Sequence, residues 1–174
     1  MSRWIGVDFG SQRIGLAVGD TDKRIATPLE QLSADKMSLA RIAEHIKSLV
    51  ESYGAVGVVV GLPINADGSW GKQSKVVLDF AANLARQTGL DVRLWDERLS
   101  SFEADSRLKG RLTSKKKKRR QDSLAAAAIL EDFLASDGPT AASRPEEIRK
   151  INRNRNSGID KNFTGEDSPI DWLE

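Results

Sequence analysis

The chain has 174 residues, 39% hydrophobic and 30% charged, and carries a net charge of +2. That length suits one domain with an appendage, and that composition can build a real core under a soluble surface. With no cysteine, disulfides and thiolate metal sites are excluded. The single histidine, His45, leaves little room for histidine chemistry, so any metal site must be built from carboxylates. No apolar run is long enough to span a bilayer, so a membrane partner is not expected, and the absence of cysteine suits a reducing cytoplasm as the expected location.

The first predicted elements lie in "WIGVDFGSQRIGLAVGD", Trp4 to Asp20. Two apolar runs fold back on each other around Gly10-Ser11-Gln12, and the first ends in Asp8. "RIATPLEQL", Arg24 to Leu32, follows as an edge strand in which Pro28 is tolerated. Leu39, Ile42, Ala43, Ile46, Leu49 and Val50 then recur at helical spacing up to Gly54. "AVGVVVGLP" is nearly continuous in apolar residues, as a strand buried on both faces would be. "KVVLDFAANLARQTG" predicts a second helix, "DVRLWDER" a fifth strand and "SSFEADSRLKG" a short helix. "QDSLAAAAILEDFLAS" predicts the last helix of the domain, with Asp122 at its N-terminus.

Three strands in a meander followed by βαβ units predict an α/β fold, a mixed five-stranded sheet with helices on its faces. Residues 1–136 form that domain. From Asp137 to Glu174 the chain loses periodicity and gains proline, asparagine and charge, which predicts a flexible or disordered tail, with a short helix around Pro145 to Ile151.

Charge is unevenly spread. Arg107 to Arg120, "RLKGRLTSKKKKRR", holds nine basic and no acidic residues, while the rest of the chain is mildly acidic. Such a local field favours a polyanion, nucleic acid first. The six consecutive cations Lys115, Lys116, Lys117, Lys118, Arg119 and Arg120 form a segment expected to be mobile until a phosphate backbone orders it. A solvated loop, or a stretch that merely mimics a nuclear-localisation signal, is the alternative.

Asp8 ends the first strand, Glu97 ends the fifth and Asp122 opens the final helix. Ligands gather beyond the carboxyl ends of strands in open sheets. Three carboxylates there would suit Mg²⁺ or Mn²⁺, which hold phosphate oxygens and activate water. Each has a plainer alternative: a turn residue at Asp8, a surface ion pair at Glu97, a helix cap at Asp122.

"GVDFGSQRIGLAVGD", "VVVGLPINADGS", "DERLSSFEA" and "DSLAAAAIL" together, in order and spacing, resemble the YqgF/RuvX family. The resemblance runs from about Arg3 to Ser136, and nothing about the tail carries over. It implies an RNase H-like fold, with Asp8, Glu97 and Asp122 as the acidic catalytic and metal-binding positions. It also implies a nuclease, acting in pre-16S rRNA processing or on Holliday junctions.

The reading is therefore a metal-dependent phosphodiester hydrolase of ribosome biogenesis, with RNA preferred over DNA, as a monomer or homodimer. A junction resolvase and an inactive nucleic-acid-binding module are the alternatives. The first motif also resembles the phosphate loop of actin-like ATPases and sugar kinases, but those need a duplicated domain that this chain has no room for. Arg13, Asn65 and Arg98 are candidate nucleic-acid contacts beside the basic run; a salt bridge for either arginine and a tight loop around Asn65 are the alternatives. Trp70 is the candidate stacking platform, Trp4 and Trp95 are assigned to the core, and His45 is assigned no chemistry.

Overall fold

The computed structural model describes residues 2–97 and 114–156. Five strands form one sheet: β1 (Arg3–Phe9), β2 (Arg13–Asp20), β3 (Ile25–Ser33), β4 (Ala55–Leu62) and β5 (Val92–Asp96). Their order is β3-β2-β1-β4-β5. β1 and β3 pair antiparallel with β2, whereas β4 runs parallel to both β1 and β5. The predicted meander and βαβ units are therefore present, and Pro28 lies on the edge strand where its missing N–H is harmless.

Helices α1 (Leu39–Tyr53) and α2 (Lys72–Thr88) connect the parallel strands. Ser38 caps α1 through its side chain, and Gly54 and Gly89 end the two helices in the left-handed conformation. Both pack on one face of the sheet, where Ile5, Val7, Leu16, Val58, Val60 and Leu94 meet Ile46, Val77 and Leu84. The period of two then sends the alternate residues to the other face. There Trp4, Ala17, Val59 and Trp95 meet Ala126, Leu130 and Phe133 of α3 (Ser114–Ala135). Trp4 and Trp95 are core residues, as expected, each edge-on to Phe133.

Two expectations change. Helix α3 begins at Ser114, so Asp122 stands in its third turn and does not cap it. The reason is local: lysine and arginine are good helix formers, and no glycine or proline separates Ser114 from Asp122. The backbone of Lys115 to Arg120 is accordingly helical and continuous with the Asp122 turn; their side chains lie outside the described residues. The short helix expected in "SSFEADSRLKG" also lies outside them.

The second concerns the segment after Ser136, where composition predicts a flexible tail. A single 3-10 turn (Gly138–Thr140) leads to α4 (Pro145–Asn156), which includes the short helix predicted around Pro145. Ser143 bridges Leu94 of the edge strand, Ala142 is buried, and Ile148 packs on the α1/α2 core. Arg144 pairs with Asp91 and Arg149 with Asp79. A few apolar anchors and an exposed strand edge suffice to dock a polar segment whose composition alone argues for disorder. Residues 157–174 lie outside the described part.

Candidate active site

Asp8 is an apolar strand's one carboxylate, and its place follows from strand alternation. Trp4, Gly6 and Asp8 point to the α3 face, while Ile5 and Val7 point to the α1/α2 core. Asp8 is paired with Gly15 of β2. On the other side, one residue beyond the Val7–Val60 pair, lies Gly61 of β4. Asp8 thus sits between two glycines.

Each glycine makes room for one of the other two acidic residues. A Cβ on Gly15 would stand 1.9 Å from the Asp122 carbonyl oxygen, so α3 presses its Asp122 turn directly onto β2. Gly6 and Gly19 allow the same approach further along α3. A Cβ on Gly61 would stand 2.6 Å from Oε1 of Glu97, whose side chain folds back over β4 from the end of β5.

The electrostatics record this convergence. Burial, then the nearby Asp122 charge, raises the Asp8 carboxyl from 3.8 to about 6. Burial, then Asp8 and Asp96, raises Glu97 from 4.5 to about 7. Asp8 feels Asp122, and Glu97 feels Asp8, so the three sequence candidates form one chain of like charges.

Asp122 is held from the far side. Gln31 Nε2 donates to its Oδ2 at 2.7 Å, and Arg13 Nη1 lies 3.9 Å from the same oxygen. Arg13 is thus beside the site in a loose ion pair, close enough to serve either as a phosphate contact or as a salt bridge. Gln31 is not among the sequence candidates. Its signal is alternation on the edge strand: Leu32 points to the α1/α2 core and Gln31 to the face of α3.

The loop after β4 closes on itself. Asn65 Nδ2 donates to Ser69 Oγ at 2.8 Å, and the Asn65 and Gly68 amides complete the turn, so the tight-loop reading of Asn65 is realised. Asn65 remains exposed beyond the carboxyl end of β4. Trp70 is half-buried against the core, which makes it a weaker stacking platform than its place in the loop suggests. His45 pairs with Glu30 at 2.7 Å on an exposed surface. Arg98 lies outside the described residues.

A divalent cation fits this site by donor chemistry and charge. The donors are carboxylate oxygens, and a cation among them would offset both the burial and the mutual repulsion that raise Asp8 and Glu97. No three acidic or histidine groups among the described residues stand ready as a preformed metal cage.

A family model described as "RuvX: Holliday junction resolvase" matches residues 2–136. The chain belongs to the RuvX family. A RuvX relative from Anaeromyxobacter dehalogenans, named "Putative pre-16S rRNA nuclease", is 42% identical over 142 residues, 79% of this chain and 99% of the relative. Another of the same name, from Anaeromyxobacter sp. (strain Fw109-5), is 43% identical over 130 residues, 74% of this chain and 92% of the relative. Among solved structures, Thermus thermophilus RuvC in complex with a Holliday junction substrate superposes with a TM-score of 0.50 at 14% identity. It covers 82% of this chain and 99% of RuvC. That likeness shows the fold, which is RNase H-like. Membership of RuvX makes the chain a phosphodiester hydrolase. No helix among the described residues is long and apolar enough to cross a membrane.

Proposed function

We propose that this RuvX protein is a metal-dependent nuclease that processes the 5′ end of pre-16S rRNA in the cytoplasm. The observation that carries the reading is Asp8 between two glycines, with Asp122 over one and Glu97 over the other. Asp8, Glu97 and Asp122 would hold one or two Mg²⁺ or Mn²⁺ ions. Such an ion, when bound, lowers the pKa of the attacking water and neutralises charge on the leaving oxygen. The three carboxylates supply the negative charge that binds it, and the burial of Asp8 and Glu97 limits screening by solvent. No side-chain nucleophile is needed.

The basic first turns of α3, Lys115 to Arg120, run directly into the Asp122 turn and would bring a phosphate backbone to the carboxylates. Arg13, Arg98 and Asn65 would contact the same strand. RNA is the preferred substrate, supported by the names of relatives about 42% identical over 142 residues. The family description favours a second reading, resolution of branched DNA, which would require two copies acting on one junction.

The test is incubation with matched labelled RNA, single-stranded DNA and four-way junctions, with and without Mn²⁺, scoring binding and cleavage separately. Mn²⁺-dependent cleavage of the RNA supports the reading. Cleavage confined to the junction supports the second, and binding without cleavage under any condition overturns both.

A further inference from the structure

Gln31, Gly15 and Asp8 lie side by side across three strands, as the register pairs Gly15 with both of its neighbours. Adjacent strands are about 4.8 Å apart, so Gln31 and Asp8 flank Gly15 at opposite sides. The Asp122 turn rests on Gly15 itself. Asp122 therefore sits between a carboxylate that repels it and an amide that holds it.

We propose that Gln31 is a positioning residue for the metal site, fixing the Asp122 carboxylate against β3 in the orientation a divalent cation requires. The inference rests on the reading of Asp122 as a metal ligand. A carboxylate only accepts hydrogen bonds, so the amide must present its N–H₂ group here. At 2.7 Å the contact is short for an N–H···O bond, and it is made from a half-buried strand. The donor is neutral. A lysine or arginine at this distance would hold Asp122 equally well but would cancel the charge that attracts a cation. Gln31 orients without neutralising, whereas Arg13, at 3.9 Å, adds a loose, half-exposed positive charge but no direct hydrogen bond. Partners that orient a ligand in this way are worth about 10–100-fold in metal affinity or activity.

The test is Mn²⁺ titration by calorimetry on wild-type protein, Gln31→Met, Gln31→Ala and Asp122→Asn. It is run at a temperature where circular dichroism shows every variant folded. Methionine keeps the length and packing of Gln31 and lacks the donor; alanine removes both. The expected result is that Gln31→Met and Gln31→Ala both weaken Mn²⁺ binding about 10-fold, with the methionine variant melting near wild type. If Gln31→Met binds Mn²⁺ as tightly as wild type while Asp122→Asn does not, Gln31 serves packing only and the proposal is overturned. If Asp122→Asn itself binds Mn²⁺ like wild type, Asp122 is no ligand, and the reading of the site fails with the inference.

Discussion

Gly15 and Asp122 touch backbone to backbone: a Cβ added to Gly15 would lie 1.9 Å from the Asp122 carbonyl oxygen and 2.2 Å from its carbon. Neither atom is the end of a flexible side chain, so relief requires α3 to move away from β2. Overpacking of this kind costs about 1–3 kcal/mol and sometimes more. Gly15→Ala should lower the melting temperature and, by displacing Asp122, reduce cleavage more than the drop in stability accounts for. Gly71→Ala is the control, since its Cβ would meet nothing nearer than 3.7 Å. Equal activity of the two variants would detach α3's position from function.

The raised carboxyls predict a pH dependence of stability. In the folded protein burial pushes Asp8 up to about 6 and Glu97 up to about 7, against ordinary values of 3.8 and 4.5. Between these limits the fold holds protons that the unfolded chain releases. These two groups therefore make the metal-free protein less stable as pH rises from about 4 to about 7, and the penalty is complete above that. Glu97→Gln should raise the metal-free melting temperature at about pH 8, with the gain vanishing near pH 4. Adding Mn²⁺ at about pH 8 should stabilise wild type more than the variant. A gain that is the same at both pH values would remove Glu97 from the electrostatic account.

Truncation after Ser136 should destabilise the domain, although the family match ends at residue 136. It removes the Leu94–Ser143 bridge, buried Ala142, the packing of Ile148 and the Arg149–Asp79 pair. The bridge and the apolar packing matter more than the exposed ion pair, so Ile148→Ser should reproduce part of the effect and Arg149→Ala little of it. An unchanged melting temperature after truncation would mean that the docked segment adds nothing to stability.

The basic turns of α3 should supply affinity and little chemistry. Replacing Lys115 to Lys118 with alanine keeps a good helix former at each position. It should weaken nucleic-acid binding and flatten its salt dependence, by about 0.7 in the log–log slope for each phosphate of a single strand that is no longer neutralised. Saturating substrate should restore most of the turnover, because an interaction made equally in ground and transition states affects binding alone. Turnover that collapses at saturation would put a lysine on the reacting phosphate.

The five strands and the two carboxylates at strand ends are legible in the sequence, because alternation and apolar runs are local signals. Asp8 is the one polar interruption of its run, and Glu97 follows the last strand. Asp122's third-turn position is not legible from the cap-like "QDSL", since a capping preference cannot show that the preceding lysines and arginines are already helical. Gln31 escapes a sequence reading for a different reason. It meets Asp122 across 91 residues of sequence, and only the pairing of β3 with β2 brings them together. The roles of Gly15 and Gly61 are likewise tertiary: each is defined by what presses on it, and nothing nearby in the chain says so. The docking of α4 depends on an open strand edge that its own composition does not reveal.

If Asp8, Glu97 and Asp122 form one metal-dependent hydrolytic site, Asp8 is the residue at which that shows most sharply. The measurement is single-turnover cleavage of a labelled RNA carrying a 5′-extended 16S end, by wild type and Asp8→Asn, across a Mn²⁺ series and in excess chelator. Asparagine preserves the size of the side chain between Gly15 and Gly61 and removes the charge that a cation needs. Cleavage by wild type should rise with Mn²⁺ and stop in chelator, and should fall by orders of magnitude in the folded Asp8→Asn protein. Unchanged cleavage by Asp8→Asn, or full wild-type activity in chelator, would contradict a single metal-dependent site.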